Sequence, residues 1–465
     1  MLQIEISLSF PGSAWERTAC EALPRVYKRR EAEPPGQCVP RRSLGTRMVA
    51  VFLAFLFLPG PLRADELRAG TAKVAITPPI GYPMWGYAAR HDQPSTDVRD
   101  PLYARALVLA VGKAKLALVS LDLGRPPTRT ITESISRRIK ADGGITVCFL
   151  VATHTHHGPV LELDRWPTPE KPYVRSLEDK IVGVILDAAG NLHPAQLGIR
   201  SAEVGLNRNR HSRRPDKPVD RELIVVRVET LGGKVLAHLV NFAAHPTMLA
   251  SQLREMSADY PGAMAQHVEK EAGGICLFLQ GAAGDLSTNS SKPGDPDAFG
   301  VELGTKVLEL GNTIQCTLRL PKPLQTREHT FTFGKRLDLT NPLIRTAFSM
   351  AFFKDLVDFY EREYRDGIRP KLTTALLDER IGIVGVSGEF FCSHAVHLRK
   401  RARLGHVLFL GYCNDYHQYF PTIEAVAEGG YGAEAMVSPV EIGAGERIMD
   451  QALIDLFAMR GKMTR

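Results

Sequence analysis

The sequence predicts an α/β domain built on a mixed sheet with helices on both faces. Three observations carry this. From residue 70 onward, short β-rich runs alternate with longer segments of helical spacing. Several of those runs are apolar along their whole length, as strands covered on both faces are. The stretch "ELIVVRVETLGGKVLAHLVNFAA" reads as two strands joined by the Gly-Gly turn at 232–233, a hairpin that must be antiparallel.

Taken in order, "ARALVLAV" and "KLALVSLDL" are strand-like, and "RTITESISRRIKA" has apolar residues at helical spacing. "ITVCFLVAT" is a strand. "SLEDKIVGVILDAAG" is an amphipathic helix with Ser176 as its expected N-cap. After the hairpin, "SADYPGAMAQHVEKEAGG" is a helix closing on glycines, "ICLFLQGAAG" a strand and "AFGVELGTKVLELGN" a helix. A polar stretch around 312–340 reads as a connection. "RTAFSMAFFKDLVDFYEREYRDG" reads as one long helix, "RIGIVGVSG" and "HVLFLGY" as strands, and "GERIMDQALIDLFAMR" as the terminal helix. No composition shift cuts the chain, so one domain over 65–465 is expected.

Residues 1–64 stand apart. Arg41, Arg42 and Arg47 precede the apolar run "MVAVFLAFLFL", and "PGPLRA" then leads to Asp65. A basic flank, a short apolar core and a small residue at the end describe a secretory signal peptide cleaved near Ala64, which implies a secreted or periplasmic protein. The run is short of the ~20 residues that span a bilayer; a buried helix is the competing reading. Residues 1–40 fit neither signal nor domain and read as an upstream extension.

The chain has 465 residues, 44% apolar and 23% charged, in the range of globular proteins. Its net charge of +7 falls to +3 without residues 1–64, and the remaining basic residues are scattered. No basic stripe or RNA-reading motif is present, so no nucleic-acid partner is expected. Cys148, Cys276, Cys316, Cys392 and Cys413 are far apart and odd in number, which suits buried thiols better than a disulfide framework.

The polar residues that follow the apolar strands are the functional signal. His154, His156 and His157 follow "VCFLVAT", and His245 follows "LAHLVNFAA". Asp285 and Ser287 follow "ICLFLQ", Glu389 follows "IGIVGVSG", and Asn414, Asp415, Tyr416 and Tyr419 follow "HVLFLGYC". Each has an ordinary structural reading: histidines and "GAAGD" suit turns, and Glu389 could cap the helix "FFCSHAVHLRKR". Five strand ends with such residues nonetheless suggest one cleft, because ligands of α/β sheets bind beyond the carboxyl ends of strands. The active site is therefore expected there. Two histidines and a carboxylate are a familiar set for a catalytic zinc.

These segments resemble the neutral/alkaline non-lysosomal ceramidase family, chiefly its N-terminal catalytic domain. "ATHTHHGP" is similar to the family's A-T-H-T-H-S-G-P, and "VNFAAHPT" to its histidine strand. "QGAAGDLSTN" resembles its G-D-[VL]-S-P-N loop, "VSGEFF" its P-G-E-F segment, and "NDYHQY…GGYG" its N-x-Y-x-x-Y with a later tyrosine. The upstream "AGTAKVAITPPIGYPMWGYA" and "RDPLYARALVL" look like the family's opening.

The resemblance implies one Zn2+ per chain, held by His154, His245, Glu389 and Tyr419. It implies that His156, Arg208 and Tyr431 face the substrate and that Ser287 occupies the place of the family's active-site serine. The implied reaction is hydrolysis of the amide of a ceramide-like, small amphipathic N-acyl compound, with water activated by the zinc as nucleophile. His156, Arg208 or Tyr431 would help stabilise the oxyanion, and His156 would deliver a proton to the departing amine.

Departures bear on the substrate. The chain ends soon after the tyrosine motif, so the family's C-terminal immunoglobulin-like domain is expected to be missing; Thr288 replaces the loop proline, and His157 replaces the serine of T-H-T-H-S-G-P. A zinc amidase or esterase on a soluble substrate, a secreted binding protein on the same fold, and wholly structural histidines are the alternatives. The aromatic run "FSMAFFKDLVDFY" could line an acyl-chain site, though at helical spacing such a run is ordinarily core. No amphipathic basic helix stands out, so membrane contact is expected to be peripheral at most. The oligomeric state is left open.

Overall fold

The computed structural model describes residues 66–163, 165, 172–320 and 324–463, all within one compact unit, Pro61–Arg465. The upstream extension and the signal segment lie outside the described residues.

Two sheets face each other. The larger contains β1 (Leu67–Ala75), β2 (Tyr103–Val111), β3 (Ala114–Leu121), β4 (Val147–Ala152), β5 (His193–Glu203), β6 (Glu222–Thr230), β7 (Val235–Phe242) and β8 (Ile275–Gln280). Its order is β8-β7-β6-β5-β1-β2-β3-β4. The pairs β3/β4 and β7/β8 are parallel and the rest antiparallel. The smaller sheet runs in order β9 (Gln325–Thr330), β10 (Lys371–Asp378), β11 (Ile381–Val386), β12 (His406–Leu410), with only β11/β12 parallel.

The two-residue period of a strand explains the layers. On β2 and β3, Ala104, Ala106, Val108, Val119 and Leu121 point one way, into helices α1 (Arg129–Gly143) and α2 (Tyr173–Gly190). Their neighbours Leu107, Leu109, Leu116 and Leu118 point the other way, against Ala375, Ile383 and Leu408 of the second sheet. Further along the large sheet, Val225, Val240 and Phe278 meet α3 (Asp259–Ala272) and α4 (Pro296–Gly311). The outer face of the small sheet is covered by α7 (Cys392–Ala402) and α8 (Ala444–Met459). Helices thus cover both outer faces, as expected, with two mixed sheets between them. Strands buried on both sides read as unbroken apolar runs for this reason.

Local differences from expectation have physical causes. Ser176 caps nothing: α2 begins at Tyr173, after Pro172. The run 345–367 breaks into α5 (Pro342–Ser349) and α6 (Lys354–Glu363), with Phe353 extended between them. The break sends Phe348 into the core and leaves Ala351, Phe352 and Phe353 along a cavity. The polar stretch 312–340 contains β9, an edge strand whose residues are at most half-buried. The five cysteines among the described residues are free and buried. Among the described residues no helix is long and apolar enough to cross a membrane.

Candidate metal centre

The carboxyl ends of β4, β7, β11 and β12 deliver their polar residues to one place. His154 follows β4 and His245 follows β7. Glu389 lies beyond β11 in a two-residue parallel pairing that sets it opposite Tyr419. Direct opposition in a strand pair puts both side chains on one face. His154, Tyr412, Asn414 and Gln418 all have left-handed backbones, with φ of 70°, 52°, 62° and 60°. Such conformations are costly for residues other than glycine and gather at functional sites.

His154 Nδ1 donates to the Gly124 carbonyl at 2.7 Å, and His245 Nδ1 to the Ala283 carbonyl at 2.6 Å. A carbonyl only accepts, so each ring carries its proton on Nδ1 and presents a lone pair at Nε2. The two Nε2 atoms are 3.1 Å apart. Glu389 Oε2 lies 3.0 Å from His245 Nε2 and 3.4 Å from His154 Nε2. Three lone-pair donors facing one another in a buried site repel; the Arg210 guanidinium, 2.8 Å from His245 Nε2, relieves part of this, and a cation among them would relieve the rest. Nitrogens bound tetrahedrally to one zinc-sized ion would be ~3.3 Å apart, so this donor set fits a small dication. His156 Nε2 is 3.3 Å from His154 Nε2. His154, His156 and His245 form a group able to hold a metal ion, their ligand atoms all within 4.8 Å of one another.

Burial sets the charge states. It lowers His245 to about 3, helped by Arg210, and puts His156 well below the usual histidine value. Burial pushes the Glu389 carboxyl up, but His154 and His245 outweigh it and hold it well below the usual carboxylate range. Near neutrality His156 and His245 are therefore neutral and Glu389 is ionised, the forms that bind metal.

Trp85 stands edge-on to His154, His156 and Tyr416, with ring centres 5.2, 5.5 and 5.4 Å away. Neighbouring Gly86 has φ +109°, and a Cβ there would come within 2.6 Å of His156 Cγ. A cavity of about 880 Å³, its open mouth included, leads to the histidines. One wall is apolar, with Met84, Val160, Phe352, Phe353 and Leu356; the other presents His156, Glu389, Tyr419 and Tyr431.

The remaining expected site residues fare differently. Tyr419 Oη is 3.0 Å from the Arg210 guanidinium, which also lies 2.8 Å from His245 Nε2. Burial, then the charge of Glu389, keeps that phenol well above its usual value, so in this arrangement it is protonated. Tyr431 is 63% exposed at the mouth, its ring 5.6 Å from that of Tyr419. Ser287 is bridged through its backbone to His245, and its half-buried side chain does not line the cavity. Arg208 is not at the centre. It sits opposite Ser287 in the short Asn207–Asn209 pairing, exposed between two buried asparagines. Alternation turns it outward, and Arg210 takes the central place.

Two other strand-end residues, Asp285 and His157, make hydrogen bonds away from the histidine cluster. Asp285 Oδ1 accepts the Cys392 amide at 2.7 Å, so Asp285, rather than Glu389, caps α7. His157 is buried with Nδ1 2.9 Å from the Glu255 carbonyl. Trp85, Gly124 and Tyr412 were not singled out by sequence reasoning; only the segment "GYPMWGYA" flagged the first of them.

Residues 67–296 match the family model described as neutral/alkaline non-lysosomal ceramidase, N-terminal. A neutral ceramidase of Pseudomonas aeruginosa is 30% identical over 272 residues, covering 51% of this chain and 40% of that protein. One of Mycobacterium tuberculosis is 27% identical over 250 residues, covering 46% and 39%. The matched stretch thus spans about two fifths of each relative. The crystal structure of the Pseudomonas aeruginosa neutral ceramidase superposes with a TM-score of 0.70 at 20% identity, over 86% of this chain and 75% of that one. The histidine strands lie inside the matched segment, so residues 67–296 are similar to the N-terminal domain of the neutral/alkaline non-lysosomal ceramidase family, and the fold is shared beyond that segment.

Proposed function

We propose that the protein is a zinc-dependent hydrolase that cleaves the amide bond of a ceramide-like N-acyl substrate, releasing a fatty acid and an amine. The observation that carries this reading is the facing pair of Nε2 lone pairs with the Glu389 carboxylate at the end of a cavity that has an apolar wall. Relatives named neutral ceramidases support the substrate class.

His154, His245 and Glu389 would hold the ion, with Tyr419 beside them. Zinc bound there would polarise the substrate carbonyl and lower the pKa of a water toward ~7. The residues of the chain do the rest. Phe352, Phe353 and Leu356 take the acyl chain, a driving force of about 25 cal/mol per Å² of apolar surface covered. Burial keeps His156 unprotonated near neutrality, so its Nε2 can accept a proton from the attacking water and pass it to the departing amine nitrogen. The Arg210 guanidinium and the Tyr431 hydroxyl stabilise negative charge on the carbonyl oxygen. The apolar segment 48–58 supports a further part of the proposal, that the protein acts outside the cytoplasm.

The test measures zinc content and release of fatty acid from an N-acylsphingosine, alongside simpler N-acyl amides. About one zinc per chain with turnover, both lost in His154→Ala, is the expected result. Zinc with turnover only on the smaller amides would replace the substrate. No zinc after supplementation would overturn the mechanism.

A further inference from the structure

The two oxygens of the Glu389 carboxylate have different partners. Oε2 faces His154 and His245, and Oε1 turns away to accept the Tyr416 hydroxyl at 2.5 Å. Tyr416 is buried and held from several sides. Trp85 stands edge-on to its ring, the Arg125 guanidinium lies 5.4 Å from the ring centre, and its backbone N–H donates to Asp415 Oδ1 at 2.8 Å.

Arg125 is itself buried. Its guanidinium donates to Glu162 at 3.0 Å and to Asp415 at 3.2 Å. Glu162 also accepts the hydroxyl of Tyr360, on α6, at 3.0 Å. A fork whose donors are satisfied on both sides cannot rotate without breaking an ion pair in a low-dielectric interior. The tyrosine ring packed against it is fixed by the same contacts.

We propose that Tyr416 is a positioning residue for the metal-binding carboxylate. Its hydroxyl engages Oε1, so Glu389 meets the cation through Oε2 alone in one orientation. The hydroxyl also satisfies an oxygen that would otherwise be buried without a partner. Outer partners of this kind typically change metal affinity 10–100-fold when removed. Tyr412, whose hydroxyl is 3.4 Å from Oε2, lies too far for a comparable bond.

The proposal rests on the reading of this site as a metal centre. Its test is zinc affinity, by competition with a chromophoric chelator, for the wild-type protein, Tyr416→Phe and Tyr360→Phe. Each variant loses one buried hydroxyl of the same network, but only Tyr416 touches Glu389. Tyr416→Phe is expected to weaken zinc about 10–100-fold and Tyr360→Phe less than about twofold, both keeping the wild-type circular dichroism spectrum. A Tyr416→Phe protein that binds zinc within twofold of wild type overturns the positioning role alone. So does a Tyr360→Phe protein weakened as much as Tyr416→Phe, since the effect would then be general loosening. A wild-type protein that takes up no zinc overturns the metal reading and this proposal together.

Discussion

Gly86→Ala tests whether the backbone beside the histidines sets the place of His156. At φ +109° an L side chain is strained, a cost of about 1–3 kcal/mol. The new methyl would lie 2.6 Å from His156 Cγ and 2.8 Å from both its Cα and Cβ. Carbon atoms in contact prefer ~3.5–4.0 Å, so roughly 1 Å of movement is demanded of His156 or of the 85–87 segment. Overpacking of this size costs about 1–3 kcal/mol. The sum, about 2–6 kcal/mol, is to be read as a lower urea midpoint at unchanged slope. Zinc binding through His154, His245 and Glu389 should survive, while a shift of this size in His156 lowers kcat/KM by up to about 100-fold. A Gly86→Ala protein with wild-type midpoint and turnover would refute both the strain and the close approach.

Phe353→Ala removes an aromatic ring from the apolar cavity wall and should raise KM for long acyl chains about tenfold, with short-chain substrates little affected; an acyl-length series checks it. Arg125→Met removes the cation shared by the buried carboxylates of Glu162 and Asp415 and should cost about 3–5 kcal/mol in urea denaturation. Breaking the exposed Arg401–Asp450 pair should cost no more than about 1 kcal/mol. His238 on β7 is lowered to about 4, by burial first and then by Arg227. Its folded value lies below the ordinary one, so the unfolded chain takes up the proton first. Stability is then full above pH ~6.5 and falls by about 3 kcal/mol toward pH ~4; His238→Gln should flatten that limb in denaturation followed against pH.

The sequence made the buried half of the fold legible and left the half-exposed half obscure. β3, β4, β7, β8, β11 and β12 are largely apolar because both faces are covered, and such runs stand out. β5 and β9 are partly open to solvent; the mixed residues of β9 read as connection, and those of β5 carry no strand signal. The break between α5 and α6 contains neither Gly nor Pro, so local propensity does not announce it. Tertiary packing of Phe348 and Phe352, stacked 4.4 Å apart, accompanies it. In the site, His154, His245 and Glu389 were visible as strand-end residues. The pair Asn-Arg occurs twice in "NRNR", so the motif fits two registers. Only the position of Arg208 between inward-turned asparagines separates it from Arg210. The supporting shell of Trp85, Gly124 and Tyr412 lies far along the chain from the residues it orients, and spacing cannot reveal it.

The two histidines at the centre belong to the eight-stranded sheet, whereas Glu389 and Tyr419 belong with the four-stranded one. On the ribosome, Glu389 is made about 140 residues after His245, a delay of roughly 7–28 s at ~5–20 residues per second. Until then the nascent chain has imidazoles without their carboxylate. High metal affinity can arise only when the second sheet docks on the first. A bound ion would then fasten the late-made sheet to the early one, and its capture would report that the chain had finished folding.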